Sequence, residues 1–550
     1  MKRRPVLVTV LFVALFVLGW WVGRGGAAGR SDLYKNLDVF VEVVQRVQQS
    51  YVDPVDPTKL VNGALKGLTR SLDPYSQYLD AKAYEGLQAV THGSFGGVGL
   101  VVGIRDGAPV VVSPIEGGPA WTLGIAAGDV IVRIDGQSTN GLALEDVAQR
   151  LRGDPGTHVQ LSIRREGDND DREFSIERNT IVTKSVPYSF VLPDHVGYLR
   201  LADFSEDASG EVRLALSQLR KQGATRLVLD LRSNPGGLLD QAVDIVEQFV
   251  RPKTLVVYTQ GRTASSDQRY YANEPKPELG WPLVVLVDRG TASASEIVTG
   301  AIQDLDRGLV VGETSFGKGL VQSVFPLRGR GALKLTTARY YTPSGRCINS
   351  LASEHMLDSL DAVADGGDGS DGEASTPANA DSADRPKFRT AAGRTVYGGG
   401  GIRPEVTVVA DSLPALTQRI EARASAFRFA NRWINTHKGW TLDQLPTDEM
   451  RLEFRAMCDS MGAKGTLEEW QSERPWLDRA LRRELARRLG GDAAAARVAF
   501  ETDPVLARAL AVLGRARNAR DVFAVSSEPS PTPAATPALP PARQAAGAHR

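Results

Sequence analysis

The sequence predicts a multidomain protein of the α/β (α+β) class. Three observations predict it. Short apolar runs at 196–201, 226–232, 282–288 and 309–312 alternate with helical patterns at 210–222 and 238–249, which makes a core of buried strands and helices. A glycine-rich stretch, residues 93–99, opens a separate series of short strands. Arg/Ala/Leu/Glu-rich segments at 421–433, 477–489 and 504–516 read as helices beyond that core.

Composition narrows the function. The chain has 550 residues, 42% of them hydrophobic, and no formal net charge. That length accommodates two to four domains of about 100–200 residues each. A nucleic-acid binder usually shows a basic face, so the neutral balance argues against one. Cys347 and Cys458 are too few for a disulfide framework or a zinc cluster, and neither has a histidine at motif spacing. No metal or cofactor is expected.

Lys2, Arg3 and Arg4 precede an apolar run over 5–23 that includes Trp20 and Trp21. Charge and length mark an export segment. About 19 residues is near what spans a bilayer. Residues 26–28 offer a cleavage site, but the long run and Arg24 favour a signal anchor over a cleaved signal peptide within 1–29. The basic end stays cytoplasmic. The rest is expected to be exported, to the periplasm in a Gram-negative cell, anchored to the inner membrane.

Residues 30–85 form a helical N-terminal region. Leu33, Leu37, Phe40, Val41, Val44 and Val47 recur at helical spacing. Asp53-Pro54 and Asp56-Pro57 break the chain, and 60–72 reads as a second helix. The acidic tip at 166–171 lacks EF-hand spacing and reads as a solvated turn. Residues 351–386 are rich in Asp, Gly, Ser and Ala and read as a disordered acidic insertion. A helical extension covers 411–525, and the Pro/Ala/Ser-rich stretch 526–550 reads as a flexible tail.

The stretch 284–322 carries the chemistry. A buried strand ends at Arg289-Gly290, and Ser293 or Ser295 opens a helix with Ile297, Val298, Ala301 and Ile302 on one face. A tight turn follows, Ser315-Phe316-Gly317-Lys318-Gly319. A serine at such a turn is exposed, and the first N–H groups of the helix can stabilise an oxyanion. The hydroxyl needs a base. None of the six histidines lies here, but a neutral lysine can serve. Moving a lysine from about 10.4 to about 7 costs roughly 4–5 kcal/mol. Lys318, between glycines and near Phe316 and Val321, meets that cost if its loop packs inward.

TASASEIVTGAIQD (291–304) and GETSFGKGLVQ (312–322) resemble the C-terminal processing peptidases, or tail-specific proteases. That resemblance implies a crotonase/ClpP-like serine endopeptidase core at 176–410, with a serine–lysine dyad assisted by a glutamine. In the family the lysine stands 25 residues after the serine, which makes Ser293 the nucleophile, Lys318 the base and Gln322 the helper. Glu296 matches a recurring acidic position, and Thr291 departs from the serine many members carry. The DLRxNPGG pattern at 230–237 implies one oxyanion-hole N–H from Gly236 or Gly237, and Ala294 implies the other.

Residues 93–165, GSFGGVGLVVGI through PAWTLGIAAGDVIVRIDG to a helix at 142–151, resemble a PDZ domain, placed at 86–175. Glycine-loop N–H groups there hold a terminal carboxylate, and a strand edge pairs with the peptide. The expected contacts are Phe95, Gly96, Gly97, Val98, Gly99 and Leu100, with Val102 nearby. The implied substrates are proteins with apolar C-termini, cleaved near those ends. A homo-oligomer and an activating adaptor are further partners the resemblance admits. Two competing readings are a PDZ scaffold with an inactive peptidase domain and a crotonase-like enzyme of small acyl substrates.

Overall fold

The computed structural model describes residues 27–526, apart from 351–384 and the positions 106, 166, 167, 169, 279, 330, 410, 411, 438, 442, 443 and 445. The apolar run at 5–23, nearly all of the acidic insertion and the tail from 527 lie outside the described residues. Among the described residues, no helix is long and apolar enough to cross a membrane. The chain divides into two compact units, 1–82 with 324–335, and 83–323 with 336–550.

In the first unit, helix Ala27–Ser50 is followed by helix Pro57–Arg70. Asp56 starts the second: its carboxylate accepts the Thr58 N–H at 2.8 Å, with Pro57 at the first helical position. Leu37, Phe40 and Val41, on the predicted apolar face, are 46%, 40% and 51% exposed. Asp73 then ties a turn, accepting from the N–H groups of Tyr75 and Ser76, and strand Gln77–Leu79 runs antiparallel to 332–334.

The second unit holds two sheets that matter for function. In the first, strands Leu100–Arg105, Ala108–Pro114, Val130–Ile134, His158–Arg164 and Arg172–Glu177 lie side by side in that order. Helix Leu144–Leu151 adds Val147 and Leu151 to a core of Val98, Val111, Ile131, Leu161 and Ile176. The glycine-rich entry differs from expectation. Ser94–Gly97 is a strand, paired antiparallel with Asn179–Val182, so much of its main chain is engaged in a ladder. Strand Leu100–Arg105 ends its sheet and leaves one edge open.

The second sheet has the order Ser189–Leu192, Val196–Arg200, Arg226–Asp230, Leu283–Val287, Leu309–Gly312, Val406–Thr407, antiparallel only in its first pair. Parallel strands covered on both faces read as unbroken apolar runs. Leu283, Val285 and Val287 point into a core with helices Ala208–Lys221, Leu239–Glu247 and Ala294–Asp304. Val284 and Leu286 point the other way, onto Phe500, Leu506, Ala509 and Val512. The C-terminal helices therefore cover the second face of the sheet. Helix Arg474–Phe500 breaks at Gly490 and Gly491; before the break, Leu477, Leu481 and Leu485 join Phe429, Trp433 and Phe454 in a separate helical core. Helices Asp448–Ser460 and Leu467–Ser472 complete that core region, beyond the three segments the sequence pattern indicated.

Candidate active site

Ser293 sits between strand Leu283–Val287 and helix Ala294–Asp304, with φ 58° and ψ −117°. A non-glycine residue there costs of order 1–3 kcal/mol and persists only when its surroundings hold it. The holding contacts are explicit. The Ser293 N–H donates to Glu296 Oε2 at 2.9 Å, and the Ser293 carbonyl accepts the Tyr340 hydroxyl at 3.0 Å. Ser293 is the residue that caps the helix. Ser295 lies inside it, fully buried, with its hydroxyl given to the Asn234 carbonyl at 3.0 Å.

Glu296 also reaches the lysine turn. Its Oε2 accepts the Lys318 N–H at 2.9 Å, and its Oε1 accepts the Gly317 N–H at 2.8 Å and the Ser315 hydroxyl at 2.5 Å. One carboxylate oxygen thus receives the main-chain N–H of both Ser293 and Lys318. Burial pushes this carboxyl above its ordinary range, against the pull of the donated bonds. The Tyr340 hydroxyl, which bonds the Ser293 carbonyl, also donates to the carbonyl of Lys318. Burial and the neighbouring Glu296 push the Tyr340 phenol well above its usual value, so it stays a donor. The serine elbow and the lysine turn are joined at both their N–H and their C=O groups.

Lys318 is half-buried, whereas Phe316 keeps 51% of its surface exposed. The turn is held inward by Glu296 rather than by burial of the Phe316 ring. Gln322 lies at the start of strand Leu320–Pro326, with its Nε2 buried and without a hydrogen-bond partner among the described residues.

The glycine loop closes the site from the other side. A Cβ at Gly236 would stand 2.8 Å from Ser293 Cβ and 2.8 Å from the Ala294 nitrogen, so only glycine permits this approach. The Gly236 N–H is engaged by Asn234 Oδ1 at 2.9 Å. Gly237 is exposed, with φ 156°, and its N–H has no partner among the described residues. Asn234, fully buried, fixes this geometry: Nδ2 donates to the Leu201 carbonyl, and its own carbonyl accepts the Ala292 N–H. Asp288 accepts from the Ser233 N–H and hydroxyl at 2.7 and 2.9 Å. Upstream, Asp230 is fully buried; burial opposes its ionisation, but Arg232, Arg200 and the Tyr198 hydroxyl outweigh it and hold the carboxyl below the ordinary range. Arg232 in turn reaches Asp503, the cap of helix Pro504–Arg515, at 2.7 Å.

Sequence reasoning singled out Glu296 without a role, quoted Asn234 only as part of the DLRxNPGG pattern, and missed Tyr340 and Asp288. Asp288, at the end of a buried strand before Arg-Gly, is the one of these with a local signal, an acceptor poised at a turn.

Beside the first sheet, in a separate two-stranded ladder, Phe95, Gly96 and Gly97 pair with 179–181, and the Phe95 ring sits 5.0 Å from the Arg152 guanidinium. Val98 is buried and its carbonyl accepts the Ala120 N–H, while Gly99 turns the chain at φ 75° into the open-edged strand that begins at Leu100.

Comparison with known proteins places the chain in a family. The family description "Peptidase family S41" matches residues 195–353, "PDZ domain" matches 110–165, and "Activating protease CtpB N-terminal domain" matches 24–83. The carboxy-terminal-processing protease of Bartonella bacilliformis is 40% identical over 324 residues, 58% of this chain and 74% of that protein. The carboxyl-terminal-processing protease of a Picosynechococcus species is 37% identical over 337 residues, 57% of this chain and 81% of its own. The carboxy-terminal processing protease CtpA of Bacillus subtilis is 35% identical over 348 residues, 62% and 74% of the two chains. With its S41 peptidase core and PDZ domain, the chain is a serine-type endopeptidase and belongs to the family of carboxy-terminal processing proteases.

Proposed function

We propose that this protein cleaves other proteins near apolar C-termini, with Ser293 as nucleophile and Lys318 as its general base. The observation that carries the reading is the shared carboxylate: Glu296 Oε2 receives the N–H of Ser293 and of Lys318, each at 2.9 Å. Ser293 Oγ attacks the scissile carbonyl, and Lys318, neutral at rest, takes the proton and later gives it to the leaving amine. Gln322 orients Lys318. The oxyanion is held by the N–H groups of Ala294 and of Gly237; the engaged N–H of Gly236 argues for this choice within the glycine pair. The substrate tail adds to the open edge of Leu100–Arg105, with its carboxylate at the Val98–Gly99 turn, in the PDZ domain of 86–175. The peptidase domain of 176–410 then receives the tail.

Lys2-Arg3-Arg4 and the apolar run at 5–23 support export and an inner-membrane anchor, with the catalytic body in the periplasm. An adaptor that activates the enzyme and a homo-oligomer remain part of this reading. The match at 24–83 to an activating protease's N-terminal domain supports the adaptor.

The test compares wild type, Ser293→Ala and Lys318→Ala on a model protein with an apolar C-terminus, alongside a serine-reactive probe. Cleavage is expected only in wild type, with the probe on Ser293. Cleavage surviving in either variant, with folding intact, overturns the dyad. A folded wild type that neither cleaves nor takes the probe returns the chain to the scaffold reading.

A further inference from the structure

The glycine loop takes its direction from a segment outside the serine elbow and the lysine turn. Phe204 follows strand Val196–Arg200 and pairs with Gly237 as an isolated parallel bridge. The Phe204 N–H donates to the Gly236 carbonyl at 3.2 Å, and the Phe204 carbonyl accepts the Leu238 N–H at 2.9 Å. Along an extended chain, successive residues present their N–H and C=O groups to opposite sides. With the Gly236 carbonyl and the Leu238 N–H turned toward Phe204, the Gly237 N–H is turned away from it. A Cβ at Gly237 would stand 2.4 Å from the Phe204 carbonyl oxygen, so the two chains run in direct contact. The aim of the Gly237 N–H therefore follows the position of the Phe204 main chain.

The residues on both sides of Phe204 are fixed by one carboxylate oxygen. Ser185 lies between strands Asn179–Val182 and Ser189–Leu192 and is fully buried. Its hydroxyl donates to Asp203 Oδ1 at 2.5 Å, and its carbonyl accepts the Ala202 N–H at 2.8 Å. Ser205 Oγ stands 2.7 Å from Ser185 Oγ. A serine hydroxyl has a single proton. That of Ser185 lies on the bond to Asp203, so Ser205 is the donor to Ser185. The chain runs from Ser205 through Ser185 to Asp203, with every proton directed the same way. Asp203 Oδ1 also accepts the Ser205 N–H at 3.1 Å.

The far side of the segment is closed as well. Ser205 is 4% exposed, and at Gly93, with φ 64°, a Cβ would come 2.9 Å from Ser205 Oγ. The Glu206 N–H donates to the Thr91 carbonyl at 3.0 Å. Apolar side chains of similar size would fill this space, but directed hydrogen bonds also fix position.

We propose that Asp203, acting through Ser185 and Ser205 on Phe204, is a positioning residue that aims the Gly237 N–H at the oxyanion. It rests on the reading that Ser293 is the nucleophile and Gly237 an oxyanion donor. Removing one oxyanion donor outright costs about 100- to 1,000-fold in kcat, and displacing a catalytic group by about 1 Å costs about 100-fold. Asp203→Ala keeps the donor and loosens its aim, so its effect lies at or below the second figure.

The test uses the full chain with a protein substrate, a blocked trialanine aldehyde and the matching alcohol. Neither small ligand has the terminal carboxylate that a PDZ loop takes. Ser293 Oγ adds to the aldehyde carbon, its proton passes to Lys318, and the former carbonyl oxygen becomes the oxyanion; the alcohol forms no adduct. In Asp203→Ala, kcat is expected to fall about 10- to 100-fold with KM within about twofold, aldehyde affinity to fall by a similar factor, and alcohol affinity to hold. Asp203→Asn keeps an acceptor at Oδ1 and is expected to restore kcat and aldehyde affinity to within about threefold of wild type. Ser185→Ala cuts the chain between Ser205 and Asp203 and is expected to lower both with KM unchanged; it carries the test if urea unfolding shows Asp203→Ala to be unfolded. An aldehyde that binds wild type no better than Ser293→Ala overturns the underlying reading, and the proposal with it. Aldehyde binding that needs Ser293 but keeps its ratio to alcohol binding in the folded variant overturns the proposal alone, because the cluster then serves only the fold.

Discussion

Tyr340→Phe separates positioning from packing at this site. The substitution removes one oxygen and keeps the ring, which is 1% exposed. The lost hydroxyl donates to the carbonyls of Ser293 and Lys318, 47 and 22 residues away in sequence. The Ser293 carbonyl keeps the N–H groups of Glu296 and Ile297, at 2.8 and 3.0 Å, so the loosening is expected on the lysine side. Withdrawing a buried hydrogen-bond donor costs about 1–3 kcal/mol. If that cost falls on the aligned state, kcat drops by about 5- to 150-fold, since each 1.36 kcal/mol is tenfold. Buried as it is, Tyr340 cannot touch a substrate, so KM is expected to hold within about twofold. The assay is steady-state cleavage of a protein substrate with urea unfolding of the same preparations. A kcat within about twofold of wild type, together with a fall in stability, would refute the reasoning, because the hydroxyl would then hold the fold and not the dyad.

Three further predictions follow from the same contacts. Gly236→Ala places a methyl 2.7 Å from the Ala292 carbonyl oxygen at φ 96°, and activity is expected to fall about 10- to 100-fold as the serine elbow shifts, read by the same cleavage assay. Phe500→Ala, which removes a ring 4.6 Å from that of Tyr198 on the second face of the sheet, is expected to cost about 3–5 kcal/mol in urea unfolding; under about 1 kcal/mol would detach the C-terminal helices from the catalytic fold. The Asp230 carboxyl is held below the ordinary range, so its contribution to stability is present above the unfolded value of about 3.9 and is lost as pH falls through the lower folded value. The stability gap between wild type and Asp230→Asn is therefore expected to close on acidification, and a gap independent of pH would contradict the ion-pair account.

What could be read from the sequence followed how local its cause was. The run 283–287 announced a buried strand because five consecutive apolar residues need cover on both faces, and the strand lies in the middle of the sheet. The sequence did not say what covered the second face. An amphipathic helix such as Pro504–Arg515 has the same pattern whether it packs on a sheet, on another helix or on a partner, so the extension read only as helical. Strand Ser189–Leu192, with four residues, was too short for a periodic signal. Strand Ser94–Gly97 was hidden by its glycines, which suggest a loop, and its partner is 179–182, set by tertiary pairing.

The same division runs through the site. Family resemblance pointed to Ser293, Lys318 and Gln322 in advance, but what aligns the first two is carried by residues to which the motifs gave no role. A lysine on a flexible four-carbon stem is less well oriented than an imidazole held by a carboxylate. Precision here has to come from the main chain beneath the two side chains. Glu296 fixes their N–H groups, Tyr340 their C=O groups, and Asn234 binds the glycine loop to the elbow through Ala292 and Ser295. All three are buried, where hydrogen bonds are stronger than in water and an unmade one is costly. Each links segments that are distant along the chain, so a pattern that contains the residue, as those around Glu296 and Asn234 do, does not reveal the partners it joins. The strained backbone at Ser293 marks where these constraints converge: the elbow keeps φ 58° because bonds at its N–H, its C=O and the adjoining Ala292 leave the chain little room to relax.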